Sequence, residues 1–503
     1  MLWLLLLIIF AALVFWRVKL SHWSKKCSKQ IVHGWWLGSI WKAITSKETF
    51  PEMILNAYNM EPNSRYSTFH QLLHPVLLIK DPDLIKLITV KDFDHFVNHH
   101  SMVLPQCDPI FSKNLLLLKN QNWRDVRSIL ASVFTTSKMK YMFSLITQNC
   151  DNFVSHFLQK NEPLVTVEMK EIMTRFMNDV TASMTFGIEV DAMNNPEDEF
   201  YLKGKDLTDL SGLSRVLKFL GSFIAPKIYK VFKISPFPQK TIQFFAAIVT
   251  NNIYIRQKQK IVRPDMINIL LEGRKNPSKD DKIKITDLEI AAQVIAFYFA
   301  GFETMSGLLS FMAYELGANP EVQKQLILEV DNTFDACGGK ITYHAISGMK
   351  YMDMVVSEAL RKWPGIMVTD RVCSKPYTIP PKFPGEKCVH LSEGSSVWLP
   401  IFAIHRDPNY YPNPERFDPE RFNDDNKRKL KPYTYLPFGV GPRGCIASRL
   451  GLLEAKTLFF YILANFEIVS VDKTEIPLRL IKKRIAMKAE GGFWFGLRRR
   501  TII

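Results

Sequence analysis

The chain has 503 residues, 47% of them hydrophobic and 23% charged, with 28 Pro and 23 Gly scattered along it; such a chain buries a large core and is neither low-complexity nor collagen-like. Its formal charge of +16 includes short runs such as Lys482-Lys483-Arg484 and Arg498-Arg499-Arg500. No zinc-finger, RNP or basic-zipper spacing accompanies them, which argues against nucleic acid and for anionic lipid or an acidic protein partner.

In chain order, the first feature is MLWLLLLIIFAALVFW, an uncharged run from Met1 to Trp16 followed by Arg17, Lys19, Lys25, Lys26 and Lys29. At ~1.5 Å per residue it spans roughly 24 Å, and Val18 and Leu20 lengthen it. Basic residues that follow the apolar run predict a signal anchor with the rest of the chain in the cytosol; a cleaved signal peptide or a buried helix are the competing readings. With no internal repeat or long linker, the expected organisation is an anchor (1–20), a linker and membrane-proximal segment (21–60) and one large domain (61–503). Seven cysteines, at 27, 107, 150, 337, 373, 388 and 445, form no CxxC and no zinc spacing, so a disulfide framework is not expected.

Most of the body reads as helix, with candidate strands at PVLLIK (75–80), EKCVHL (386–391) and SVWL (396–399). Residues 219–245 are apolar, aromatic and dotted with Lys, as a core helix or, less favoured, a membrane-contacting segment would be. RKNPSKDDKIK (274–284) reads as an exposed connector. TDLE at 286–289 is a capping box that starts a helix, and Asn319-Pro320 starts the next. The first helix therefore runs about 30 residues, roughly 45 Å, and its apolar middle marks it as buried and central. Within it AGFET (300–304) breaks the local rules: Gly301 weakens the helix, and Glu303 is an acid in apolar company. The combination suggests a backbone opened for a ligand and a proton path, with a structural ion pair as the alternative for Glu303.

YLPFGVGPRGCIASRLGLLEAK (435–456) crowds Gly, Pro and Arg around Cys445 just before a helix-like run. A helix N-terminus lowers a thiol's pKa, which suits a nucleophile, a redox sensor or a metal ligand. Arg449 lies at the wrong offset for a CxxxxxR phosphate loop.

Phe438, Gly441, Arg443 and Cys445 fill FxxGxRxC, which resembles the haem-ligand loop of the cytochrome P450 family. Other motifs of that family follow in order: WRDVR (123–127), AGFET, EALR (358–361), RVC (371–373), HRDP (405–408) and two copies of PERF (414–417 and 419–422). The likeness spans nearly the whole chain and is closest in flavour to insect microsomal, xenobiotic-metabolising members. Ala447 stands where Gly is usual, Met305 where Thr or Ser is commoner, and no Pro-rich hinge follows the anchor.

The resemblance implies a mainly α fold with small β-sheets, a triangular helical domain whose long central helix crosses a haem b. It implies a haem-thiolate monooxygenase that inserts one atom of O₂ into lipophilic small molecules. Electrons would come from NADPH-cytochrome P450 reductase, with cytochrome b5 as a second partner, at the endoplasmic reticulum membrane. Cys445 would ligate iron; Trp123, Arg127, Arg371 and Arg443 would face the propionates; Phe438 would shield the sulfur; Glu303 and Thr304 would relay protons. Arg421 is favoured over Arg416 as the partner of Glu358 and Arg361. The alternatives are a haem-thiolate isomerase or dehydratase and a non-catalytic haem or lipid carrier.

Overall fold

The computed structural model describes residues 48–500 apart from 72–73, 102, 210–211, 225, 264, 276–284 and 483–485. The predicted anchor and most of the 274–284 connector lie outside the described residues.

A helix α1 (Phe50–Asn59) leads into the hairpin β1 (Tyr66–Gln71) and β2 (His74–Ile79). Next come α2 (Asn120–Ala131), α3 (Thr136–Leu158), β3 (Leu164–Glu168), α4 (Met169–Thr181), α5 (Glu199–Thr208) and α6 (Gln239–Gln259). The central helix α7 (Asp287–Ala318) is followed by α8 (Pro320–Ala336) and α9 (Lys350–Lys362). Strands β4 (Thr369–Val372), β5 (Tyr377–Ile379), β6 (Val389–Leu391) and β7 (Ser396–Leu399) precede α10 (Ser448–Asn465), β8 (Phe466–Val469) and β9 (Trp494–Arg499).

The expected start of α7 is present: Thr286 Oγ1 accepts from the Glu289 amide at 3.2 Å and Glu289 Oε2 accepts from the Thr286 amide at 2.9 Å. Proline opens α8 at its first turn, although Asn319 donates back to Glu315 O at 2.8 Å and makes no cap. Among the described residues α7 is the helix long and apolar enough to cross a membrane, and it is mostly buried. Burial makes it a core element. It packs on α4 and α6, where Tyr298 donates to Asn178 Oδ1 at 2.7 Å amid Phe186, Phe200 and Phe245.

One sequence expectation changes here. The helix runs unbroken through 300–304, and a Cβ at Gly301 would stand 3.4 Å from Thr181 Cγ2. That is ordinary van der Waals contact, so the packing of α7 on α4 does not demand glycine, and the backbone is not opened.

The largest sheet has the order β1-β2-β7-β4, with β2 and β7 parallel and the outer pairs antiparallel. A second, β3-β9-β8, joins residues more than 300 positions apart, Leu164 pairing with Arg498. The third is the β5-β6 hairpin. Among the described residues two large apolar cores result, one around α7 and one under the larger sheet, with a small third cluster of Phe93, Val97 and Trp123, and the segment 436–447 runs between the two large ones.

Residues 219–245 split in character. Ile242 and Phe245 are buried in α6, whereas Ile228, Val231 and Phe232 on the short helix Pro226–Phe232 are exposed.

Candidate active site

Backbone hydrogen bonds and two glycines shape the loop that carries Cys445. The Gly439 amide donates to Leu436 O (3.0 Å), Gly444 to Gly441 O (2.9 Å) and Cys445 to Phe438 O (2.8 Å). Gly439 and Gly441 take φ of 70° and 73°. A Cβ at Gly441 would stand 2.1 Å from Thr89 O, so glycine is required there. Helix α10 begins three residues after the cysteine. Gly451 on α10 lies between Met305 and Phe438, its notional Cβ 3.1 Å from Met305 Sδ and 3.9 Å from Phe438 Cε1. That contact seats α7 on the cysteine loop.

Cys445 keeps exposed surface, yet burial is the largest influence on its acidity. Burial raises the thiol above its ordinary value, outweighing the Ala447 amide and Arg127, which pull it down. The lowering expected from a helix terminus is overridden by depth. A cation placed opposite the sulfur would reverse the balance.

Beneath the loop lies a buried polar lattice. Glu358 and Arg361, one turn apart on α9, are wholly buried and bonded at 2.7 and 2.8 Å. Arg421 Nε stands 3.4 Å from Glu358 Oε1, whereas Arg416 offers Arg361 only its carbonyl, at 3.4 Å. The choice between the two PERF arginines therefore falls to Arg421. Arg361 also donates to His405 O at 2.8 Å, and His405 Nε2 accepts from the Leu436 amide at 2.8 Å. Burial pushes His405 down to about 3, so the ring is neutral, and with Nε2 accepting, its Nδ1–H faces Arg361 O at 3.1 Å. With both nitrogens occupied, this histidine is no base for the sulfur, which weighs against the nucleophile reading.

Cationic groups crowd the loop's rim. Arg127 Nη2 donates to Gly444 O at 2.9 Å. Arg443 lies over the Trp123 ring at 4.1 Å and donates to the carbonyls of Val97 (2.8 Å), Leu115 (3.2 Å) and Leu118 (2.7 Å). Arg371 is buried, reaches Val440 O at 3.3 Å, and its Nε has no hydrogen-bond partner. Burial and then its neighbour Arg371 push Arg443 down to about 9; burial alone pushes Arg371 down to about 10 against the pull of Asp370. Asp370 accepts from the His100 amide at 2.5 Å and pairs with His99 at 2.9 Å. Burial works to raise Asp370, but these bonds and the Arg371 charge hold it below its ordinary value.

On α7, Ala300 is exposed and Thr304 half-buried, opposite Gly365, whose notional Cβ would stand 3.5 Å from Thr304 Cβ. Thr304 Oγ1 donates to Ala300 O at 2.5 Å. Glu303, one residue back, turns elsewhere: its carboxylate lies 3.3 Å from Lys170 Nζ and 3.0 Å from Lys488 Nζ. Lys170 also donates to Ser306 Oγ at 2.6 Å, and burial pushes it down to about 8. The acid and the alcohol adjoin in sequence but engage different partners.

The sequence pattern of the family described as Cytochrome P450 matches residues 32–494. The chain belongs to the cytochrome P450 family. It is 41% identical over 492 residues to Cytochrome P450 9e2 of Blattella germanica, covering 92% of this chain and 91% of the relative. It is 39% identical over 475 residues to Probable cytochrome P450 9f2 of Drosophila melanogaster, covering 90% of each, and 32% identical over 502 residues to Cytochrome P450 6k1 of Blattella germanica, covering 96% and 94%. The fold is the mainly α cytochrome P450 fold, the activity is that of a haem-thiolate monooxygenase acting on lipophilic molecules, and the cofactor is haem b.

The residues present fit that cofactor. Three guanidinium groups, two of which, Arg371 and Arg443, have Asp370 as counter-charge and one of which, Arg371, has an orphaned Nε, suit a ligand that brings two carboxylates of its own. A soft sulfur on a glycine-shaped loop, with Arg127 near enough to favour its charged form, is the donor that a thiolate-ligated haem would use. Sequence reasoning missed His99, Asp370, Lys170 and Lys488. Asp370 carried a signal, a carboxylate next to Arg371 in TDRV; the others depend on contacts across more than 130 positions and carried none.

Proposed function

We propose that Cys445 would ligate the haem iron of this monooxygenase through its thiolate, that Arg127, Arg371, Arg443 and Trp123 would hold the haem propionates, and that Phe438 would limit water at the sulfur. The observation that carries the reading is the Cys445 loop itself: a deep-set thiol that keeps exposed surface, its Gly444 carbonyl bound by Arg127, beside the half-buried Arg443 and the buried Arg371. Bound haem supplies activation of O₂ and transfer of one oxygen atom to a C–H bond.

The protein's own groups orient, exclude water and move protons. Thr304 presents a hydroxyl at the exposed stretch of α7 and holds a water there for proton delivery. Glu303 is the acid behind it, kept one helix face away by Lys170 and Lys488, which link it toward solvent through the half-exposed Lys488 side chain. The presence of both Glu303 and Thr304 favours oxygen activation over a haem-thiolate isomerase or dehydratase, which needs no external electrons.

Those electrons reach the haem from NADPH-cytochrome P450 reductase, and cytochrome b5 serves as an accessory donor; the acidic faces of both suit a chain of charge +16. The chain sits in the endoplasmic reticulum membrane through residues 1–20, with 21–60 as a linker and 61–503 in the cytosol. Exposed Leu217, Ile228, Val231 and Phe232, interleaved with exposed Lys227, Lys230 and Lys233, supply a second lipid-facing surface. The substrate is a lipophilic small molecule.

Thr304→Ala tests the role assignment. The variant should keep its haem spectrum while NADPH consumption is diverted to hydrogen peroxide, lowering product per NADPH by roughly 100-fold or more, the size of one positioned proton-transfer group. Unchanged coupling would remove Thr304 from the relay.

A further inference from the structure

His99 and Asp370 form a largely buried pair, their side chains 12% and 24% exposed, that the chemistry above does not use. Residues 97–100 are zipped to β4 and to the cysteine loop. Val97 O accepts from Arg443 Nε at 2.8 Å, Asn98 O accepts from the Val372 amide at 2.8 Å, and the His100 amide donates to Asp370 Oδ2 at 2.5 Å. In the middle of that seam His99 Nδ1 meets Asp370 Oδ1 at 2.9 Å. An ionised carboxylate only accepts, so Nδ1 carries the hydrogen of the neutral ring and Nε2 is the site for a second proton. The ring also lines a cavity of about 290 Å³, which gives that proton a way in.

The surrounding charges decide whether the second proton stays. Burial is the largest influence on His99 and works against the cation; Asp370 favours it through its bond and its charge, and Arg371 and Arg443 oppose it. The balance holds the ring below its ordinary value. The titratable groups that share the cavity wall with it are His100, Lys119, Cys107 and Tyr229, none of them a carboxylate. Arg127, Arg371 and Arg443 bring positive charge and Asp370 alone answers the last two. A ligand with two carboxylates of its own would neutralise those guanidinium groups, and the orphaned Nε of Arg371 is open to one of them. With the arginine charges matched, the repulsion that keeps His99 neutral is lifted while Asp370 still favours the cation.

We propose that His99 is a positioning residue that takes up a proton when haem binds: as the propionates meet Arg371 and Arg443, Nε2 accepts a proton from solvent and the ring becomes the cationic partner of Asp370. Asp370 then no longer competes with the propionates for the arginines. The inference rests on the haem-thiolate reading and adds to it a residue that makes cofactor retention depend on pH. The ring holds its proton more tightly with haem than without, so by linkage retention rises as pH falls through the window around the ordinary histidine value of ~6.5, by at most about tenfold per unit for one proton. His99→Asn keeps an N–H for Asp370 and removes the titration.

The test follows haem release from the full-length, haem-loaded protein to excess apomyoglobin, read by the Soret shift, between about pH 8.5 and about pH 6. The release rate of His99→Asn divided by that of the wild type should be flat near the alkaline end and rise roughly 3- to 10-fold per unit as pH falls through the histidine window. A ratio independent of pH would overturn the proposal even if the variant releases haem faster throughout, because lost packing moves the rate and not its pH profile. Should His99→Asn retain no haem, His99→Gln, whose amide also donates, decides by the same criterion. Loss of haem from both at the alkaline end would overturn the proposal, since the ring is neutral there and its titration dispensable. A wild-type protein that takes up no haem, or whose reduced carbon monoxide spectrum lacks the thiolate band, overturns the underlying reading; a thiolate band with a pH-independent ratio overturns the role of His99 alone.

Discussion

His405 joins a buried ion pair to the cysteine loop, accepting from the Leu436 amide and bonded twice to Arg361. Its ring is pushed down to about 3 from an ordinary 6.5. Between those values the unfolded chain takes up a proton there that the folded chain refuses, so folding stability falls as pH drops through that window, by at most about 1.4 kcal/mol per unit. His405→Gln retains an acceptor and should flatten the acid limb of stability measured by denaturant melts from about pH 7 to 4. It should also lower stability at neutral pH by about 1–3 kcal/mol; parallel acid slopes would contradict this account. Gly441 gives a second test at this scale. A Cβ there meets Thr89 O at 2.1 Å, whereas one at Gly348 meets nothing within 4 Å. Gly441→Ala should lower stability by at least about 1–3 kcal/mol and haem retention with it, because both φ and space are violated; Gly348→Ala should leave retention unchanged.

Helix α9 shows how an element transmits order to the site. Its Glu358 carboxylate gathers Arg361, Arg421 Nε and the Asp418 amide, the last at 2.9 Å, and Trp363 beyond its end stacks on Phe311 of α7 at 4.3 Å. Glu358→Ala leaves Arg361 buried and uncompensated and should lower stability by about 3–5 kcal/mol in chemical melts. The exposed Arg416→Ala is the control and should stay within about 0.5 kcal/mol. The same helix marks what a sequence discloses. Local grammar disclosed the capping box that opens α7, the proline that opens α8 and the glycines of the cysteine loop, since each depends on residues within a few positions. Strands β3, β8 and β9 were not legible, because Leu164 finds its partner at Arg498 and no nearby residue announces it. Glu303 was legible as an anomaly, but its lysines, at 170 and 488, were not. Gly301 was read as an opening because glycine weakens an isolated helix, whereas the packing around α7 carries the helix through it unbroken. The polarity of Cys445 was misjudged for a similar reason: a helix start is visible in sequence, and depth is not.

At the scale of the whole molecule, one apolar core surrounds α7, another lies beneath the β1-β2-β7-β4 sheet, and the cysteine loop bridges them. Function follows from that placement, because the sulfur, the arginines beside it and the Thr304 stretch of α7 come from elements spread along most of the chain and are all in place only when both cores are formed. The measurement that tests this most directly is the difference spectrum of the dithionite-reduced, full-length protein under carbon monoxide, beside Cys445→Ser. The wild type should give the long-wavelength band of thiolate-bound ferrous haem, and the variant should lose it while the chain remains folded by circular dichroism. A wild-type band of imidazole-bound haem, or a thiolate band that persists in Cys445→Ser, would contradict the account.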